Sequence, residues 1–107
     1  MGSNGELGEF EWLGEIWRVP LEKERLNLTH RDPMRRISFA QVFDVLNAGG
    51  VLDVVRHTSR PNQMVIVIAI RGYAYGVPVL WEDRFVKNVI PSRTLTKRYL
   101  ASRRQEE

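Results

Sequence analysis

The sequence predicts an α+β fold: an antiparallel sheet of four to five strands with helices packed on it, in the order β-α-α-β-β-β-β-α. Three stretches carry that prediction. Met64 to Ile70 is an unbroken apolar, mostly β-branched run, as expected of a central strand buried on both faces. Ser38 to Gly50 has the start, spacing and stop of an amphipathic helix. Phe85 to Tyr99 is a strand that halts at Pro91 and a basic helix that begins at Ser92. The strands from Val51 onward are joined by short connections, which favours an antiparallel meander.

In chain order, Glu9 to Trp17 alternates Phe10, Trp12 and Gly14 with Glu11, Leu13 and Glu15, and reads as one short strand. Pro20 suits the first turn of a helix, where its missing N–H costs nothing. Leu21, Arg25 and Leu28 would line one face of that helix, and Glu22, Lys23 and Glu24 supply a polar one. The helix should fade by Arg31, because Asp32 precedes Pro33 and is pushed out of the helical region. Ser38 and Gln41 form a capping-box pair, Phe39, Val42, Phe43 and Leu46 repeat at helical spacing, and Gly49 suits a left-handed stop. Val51 to His57 is a strand, followed by the turn-rich loop Thr58 to Asn62. Arg71-Gly72 makes a tight hairpin between Met64–Ile70 and the return strand Tyr73 to Trp81. Pro78 within that return strand predicts an edge position or a bulge. In the next strand Phe85, Lys87 and Val89 would share one face, and Val86, Asn88 and Ile90 the other. Ser92 would cap the last helix, with Leu95 and Tyr99 on one side of it.

Residues 1–8 are expected to be a disordered or tag-derived start, 9–104 one domain, and 105–107 a tail. The chain has no cysteine, which excludes a disulfide framework and thiolate metal sites. No apolar run reaches the roughly 18 residues of a membrane-spanning helix. A cytoplasmic location fits both observations. The net charge of +3 hides an asymmetry. Six acids and three bases lie in the first thirty residues, whereas seven Lys or Arg and no acid lie between Arg84 and Arg104. Such an imbalance points to an anionic partner at the C-terminal end.

No P-loop, GxGxxG, HExxH or CxxC occurs, and two histidines are too few and too separate for a metal site. The chemical vocabulary that is left is Arg, Lys, His and Tyr near strand ends. It suits cleavage of RNA without a metal or other cofactor. Attack of a 2′-hydroxyl on its own phosphate needs a proton acceptor, a cation beside the phosphorane and a proton donor to the leaving oxygen. His57 is the acid–base candidate, and Lys87 and Arg93 the candidate stabilisers of charge. Tyr75, Arg60, Lys97 and Tyr99 are candidates for holding substrate. Each has a plainer reading: His57 as an exposed strand end, Lys87 as a snorkelling surface residue, Arg93 as an ordinary first-turn residue, Tyr75 and Tyr99 as packing. A cation at a helix N-terminus opposes the dipole, which makes Arg93 the first position to mutate, with Lys87 second.

The runs Ile37–Val42, Gly49–His57, Arg60–Gln63, Gly72–Pro78, Phe85–Arg93 and Thr96–Tyr99, in this order, resemble the BrnT-like toxins of bacterial toxin–antitoxin modules, which are similar to the RelE ribonucleases. The resemblance covers about residues 37 to 100, and Ile-Pro-Ser-Arg followed by Thr-Lys-Arg-Tyr is its most specific part. It implies a RelE/BrnT-like fold and a cofactor-free endoribonuclease acting on mRNA, either free or on the ribosome. It also implies neutralisation by a co-encoded antitoxin, with operator DNA contacted only through that antitoxin. Carried over by motif, the site residues are His57, Tyr75, Lys87, Arg93, Lys97 and Tyr99. The chain departs from the family before Arg36: Leu13 follows Trp12 where an Asp is usual, and the segment with Pro20 and Pro33 is longer.

Two other readings compete with an enzyme. In one, the basic C-terminal helix binds nucleic acid or an acidic antitoxin segment without cleavage. In the other, the tryptophan-bearing first third docks a partner protein.

Overall fold

In the computed structural model, which describes residues 5–101, the chain is α+β with a mixed sheet and three helices. The expected tail at 105–107, and Arg103 and Arg104, lie outside the described residues. The strands are β1 (Leu7–Trp12), β2 (Glu15–Pro20), β3 (Val51–Arg56), β4 (Met64–Ile70), β5 (Tyr73–Leu80), β6 (Phe85–Val86) and β7 (Ile90–Pro91). The helices are α1 (Leu21–Leu28), α2 (Phe39–Asn47) and α3 (Arg93–Thr96), with α3 continued by a π-helical turn over Lys97–Ala101. The sheet order is β1-β2-β6-β5-β4-β3, and β7 also pairs with β5.

The sheet is therefore larger than the four or five strands expected, and not purely antiparallel. Glu9 to Trp17 is not one strand but most of a hairpin, and Leu7 and Gly8, expected in the disordered or tag-derived start, open its first strand. Leu13 and Gly14 take φ of 58° and 73°, the left-handed pair a two-residue hairpin turn demands. A non-glycine residue at Leu13 hid that turn from the sequence. β2 then meets β6 in parallel at Arg18 and Phe85, which extends the meander sideways.

The later elements follow the expected plan. Ser38 Oγ accepts the Gln41 N–H at 3.1 Å and the Gln41 side chain accepts the Ser38 N–H at 2.9 Å, so the capping box of α2 is complete. At the other end Gly50 N–H bonds Val45 O at 2.9 Å and Gly49 N–H bonds Leu46 O at 3.1 Å, with Gly49 at φ 80°. Removing the cap with Ser38→Ala should lower unfolding free energy by about 1 kcal/mol, measurable as a fall in urea midpoint with unchanged slope. Arg71 and Gly72, at φ 55° and 79°, close the β4–β5 hairpin as expected.

α1 keeps only part of its expected apolar face, with Leu21 packed against the core. Leu26 and Leu28 are exposed, and the residue it buries is Asn27. Two polar bonds turn the helix this way. Glu24 Oε2 accepts the Phe39 N–H at 2.7 Å, and Asn27 Nδ2 donates to Asn88 Oδ1 at 3.0 Å.

The last strand also departs from simple alternation. Val86 and Val89 are both buried while Ile90 is exposed. Two β5 residues, Val77 and Pro78, lie opposite three, Lys87 to Val89, so the β6–β7 strand carries a bulge. Pro78 accounts for it. Its carbonyl accepts the Lys87 N–H at 2.8 Å, so its backbone nitrogen, which has no hydrogen, faces the same strand. Asn88 Oδ1 takes the Val89 N–H at 2.8 Å in place of a ladder bond.

The pairing of Ile66 with Val77 and of Ile68 with Tyr75 puts these residues on one face of the sheet, and α2 covers them with Phe39, Val42, Phe43 and Leu46. Phe10 of β1 stacks on Phe43 at 4.7 Å. The opposite face belongs to α3. Leu95 sits over Gly76, where a β-carbon would come within 3.4 Å of it. Ala74 bonds α3 at both backbone groups: its N–H donates to Thr96 Oγ1 at 2.9 Å and its carbonyl accepts the Ser92 N–H at 3.0 Å. β3 is an outer strand, with a register irregularity between Val51 and Asp53.

Candidate anion-binding groove

Beside α3, at the end of the sheet where β3 finishes and β4 begins, lies an open groove of about 280 Å3. The loop after β3 gives it His57, Arg60 and Gln63. The β6–β7 bulge gives it Lys87, Asn88 and Ile90, and α1 gives it Lys23. Pro78 is the floor. Three cations and an imidazole thus converge, and no acidic side chain lines the groove. Lys87 stands opposite Pro78 just ahead of the extra residue, so ordinary alternation from Phe85 carries it to the groove, and what the bulge changes is Val89, which it turns into the core. Asn27, one helical turn after Lys23, ties α1 to Asn88 and so to the bulge.

Within the groove His57 is held by its own loop. Its Nδ1 accepts the Ser59 N–H at 3.2 Å, with Ser59 Oγ at 3.5 Å. A neutral ring therefore carries its proton on Nε2, and a protonated ring can turn Nδ1–H to the Ser59 hydroxyl. In either state Nε2 is the nitrogen free for a ligand. Gln63 is 6% exposed, and none of its side-chain polar atoms is both buried and without a partner. Lys23, Arg60 and Lys87 form no ion pair among the described residues. These groups are arranged to bind an anion with oxygen acceptors, and phosphate is the common biological case.

Of the residues expected in a site, the structure brings His57, Lys87 and Arg60 into this groove. The others lie elsewhere. Arg93 and Lys97 are exposed along the last helix and do not line it. Tyr75 is 2% exposed, packed in the core, and donates its hydroxyl to Met34 O at 2.7 Å. Burial, first of all, raises its phenol above the usual range. Tyr99 donates to Asp53 Oδ2 at 2.5 Å and pins the π-helical turn to β3. Lys23, Gln63 and Asn88 were not singled out in the sequence. Lys23 sits in a charge-rich helix that reads as solvated, and Gln63 and Asn88 gain their positions from long-range packing.

The Tyr99–Asp53 bond has a pH signature. The Tyr99 hydroxyl, followed by the Val54 N–H, holds the Asp53 carboxyl below its ordinary range, and the same bond is the main cause raising Tyr99 above the usual phenol range. The lowered carboxyl stabilises the fold at pH above its unfolded value, and that contribution is lost as pH falls through the folded one. The raised phenol stabilises below its unfolded value, and that contribution is lost as pH climbs through the folded one. In an ultraviolet titration Tyr99 should ionise later than a free phenol, and Asp53→Asn should shorten the delay to what burial alone imposes; an unchanged curve would show that the bond does not persist in solution.

Among the described residues no group of three or more His, Asp or Glu is gathered as a metal would require, and no helix is long and apolar enough to cross a membrane. No family model matches the chain, and no curated protein or solved structure does.

Proposed function

We propose that this chain is a cytoplasmic endoribonuclease that takes a phosphate of single-stranded RNA in the groove of Lys23, His57, Arg60 and Lys87, and that it serves as the toxin of a BrnT-like toxin–antitoxin pair. The observation that carries the reading is the meeting of three cations and a loop-held imidazole in one groove lined by no acid. The 2′-oxygen attacks phosphorus and its proton passes to water. Arg60, Lys87 and Lys23 balance the charge that builds on the non-bridging oxygens, usually the largest single contribution to such catalysis. His57, in its protonated state, gives the Nε2 proton to the departing 5′-oxygen as the P–O5′ bond breaks. The products are a 2′,3′-cyclic phosphate and a 5′-hydroxyl. The family resemblance supports a co-encoded antitoxin as partner, drawn to the same basic surface.

The test is incubation of purified protein with single-stranded RNA in excess chelator, with fragment ends mapped. Fragments ending in cyclic phosphate from the wild type, and their loss in a His57→Ala, Lys87→Ala double variant of unchanged fold, are expected. If both proteins leave RNA intact while binding it with a steep salt dependence, the non-catalytic nucleic-acid-binding reading replaces this one.

A further inference from the structure

A second, larger hollow lies on the other face of the sheet at the same end. It is a cleft of about 470 Å3. Its apolar floor is Val54, Met64, Leu80 and Trp81. Its polar rim is Arg56, Asn62, Glu82 and Asp83, none of whose side chains bonds a described residue. The rim is therefore ready for a ligand with both donors and acceptors. Trp81 is braced from behind, its ring edge-on to Trp12 at 5.9 Å and to Trp17 at 5.3 Å. Such bracing gives a flat ring a fixed surface to stack on.

The two hollows are separated by one loop. Three pairs of chain neighbours, Arg56/His57, Arg60/Pro61 and Asn62/Gln63, put the first or second member in the cationic groove and the other in the cleft. Adjacent Cα atoms are about 3.8 Å apart, so the loop between the hollows is one chain thick, and a single strand that rounds it can set a phosphate in the groove and a base in the cleft. Among the bases, guanine matches the rim best. Its N1–H and N2–H donate in parallel to one carboxylate, and its O6 and N7 accept from Arg56 or Asn62. Adenine and cytosine each offer an amino group beside an acceptor that a carboxylate repels, and uracil offers one donor.

We infer that the cleft of Trp81, Arg56, Glu82 and Asp83 is a guanine-binding pocket for the same single strand. The inference rests on the RNA reading above, but it can be tested without the phosphate groove. Guanosine, which has no phosphate, is titrated into 15N-labelled protein, with uridine and adenosine as controls. Guanosine should move the Trp81 indole N–H and the amides of Glu82 and Asp83, and uridine should not. A Glu82→Gln, Asp83→Asn variant, both positions being exposed, should lose that response while keeping its spectrum. For oligonucleotides, one guanine in an oligouridine should tighten wild-type binding roughly tenfold or more, and the variant should bind both oligomers alike. If oligouridine fails to bind while guanosine still shifts Trp81, the groove reading fails and the pocket stands. Equal responses to all three nucleosides, a guanine preference that survives in the variant, or shifts produced only by a basic peptide would overturn the pocket.

Discussion

If the proposed ribonuclease reading holds, Lys87→Ala should lower the rate of RNA cleavage by about a hundredfold or more while leaving the melting temperature close to wild type. The size follows from where the ammonium sits. Lys87 is half-buried at the bulge, between the Pro78 floor and the tethered Asn88, with cations as its charged neighbours. A charge in partly excluded water acts through a lower effective dielectric than one at the surface, so its attraction for a phosphorane is larger. No ion pair within the described fold is lost when it is removed, and relief of repulsion from Lys23 and Arg60 offsets the lost packing of its stem. Arg93→Ala is the contrast. That side chain is exposed at the start of α3 and outside the groove, and its loss should weaken binding mainly through salt-sensitive attraction. Single-turnover rates and salt-dependent affinities for the two variants separate the roles. An Arg93 variant that loses more rate than the Lys87 variant would overturn the groove as the reacting centre.

Trp17→Ala should cost about 3–5 kcal/mol, a large part of the roughly 5–15 kcal/mol that holds a small domain. Trp17 is 1% exposed, donates its indole N–H to Trp12 O at 3.2 Å, and lies within 5.3 Å of both Trp12 and Trp81. The Arg84 guanidinium rests 5.7 Å from its ring centre, and Arg84 itself holds a left-handed φ of 52°. Removing the indole therefore opens a cavity, deletes its hydrogen bond to Trp12 and unseats the turn that joins β5 to β6. Trp17→Phe keeps an aromatic plane and should cost clearly less. Chemical denaturation of the two variants checks the ordering, and equal costs would place the loss in the hydrogen bond rather than the ring.

The parts of the fold legible in the sequence were those with local chemistry. The capping box at Ser38, the stop at Gly49, the Arg71-Gly72 turn and the Ser92 cap, which accepts the Leu95 N–H at 3.0 Å, all sit within a few residues of their partners. What the sequence hid was set by distant contacts. The Leu13-Gly14 turn pairs one permissive residue with one that is not, so it read as continuous strand. Leu21 packs on the core, but which other residues α1 turns inward was not legible, because Asn27 and Glu24 are fixed by Asn88 and Phe39, far along the chain. The site divided the same way. His57, Arg60 and Lys87 could be nominated by type, but their meeting depends on the pairing of β5 with β6, which sets Lys87 opposite Pro78 and which no local signal reveals. On the sequence alone Arg93 ranks before Lys87, and under the groove proposal its exposed position outside the groove puts Lys87 first.

The outer strand β3 has one more consequence. An open strand edge is a template on which another chain can add, and this chain carries the apolar run Met64–Ile70 directly behind it. The irregularity between Val51 and Asp53 breaks the repeat an incoming strand would need, and Asp53 Oδ1 already holds the Val54 N–H at 2.8 Å. A charged residue anchored on an irregular edge works as a gatekeeper, so Asp53 guards against fibril-like association as well as pinning the last helix.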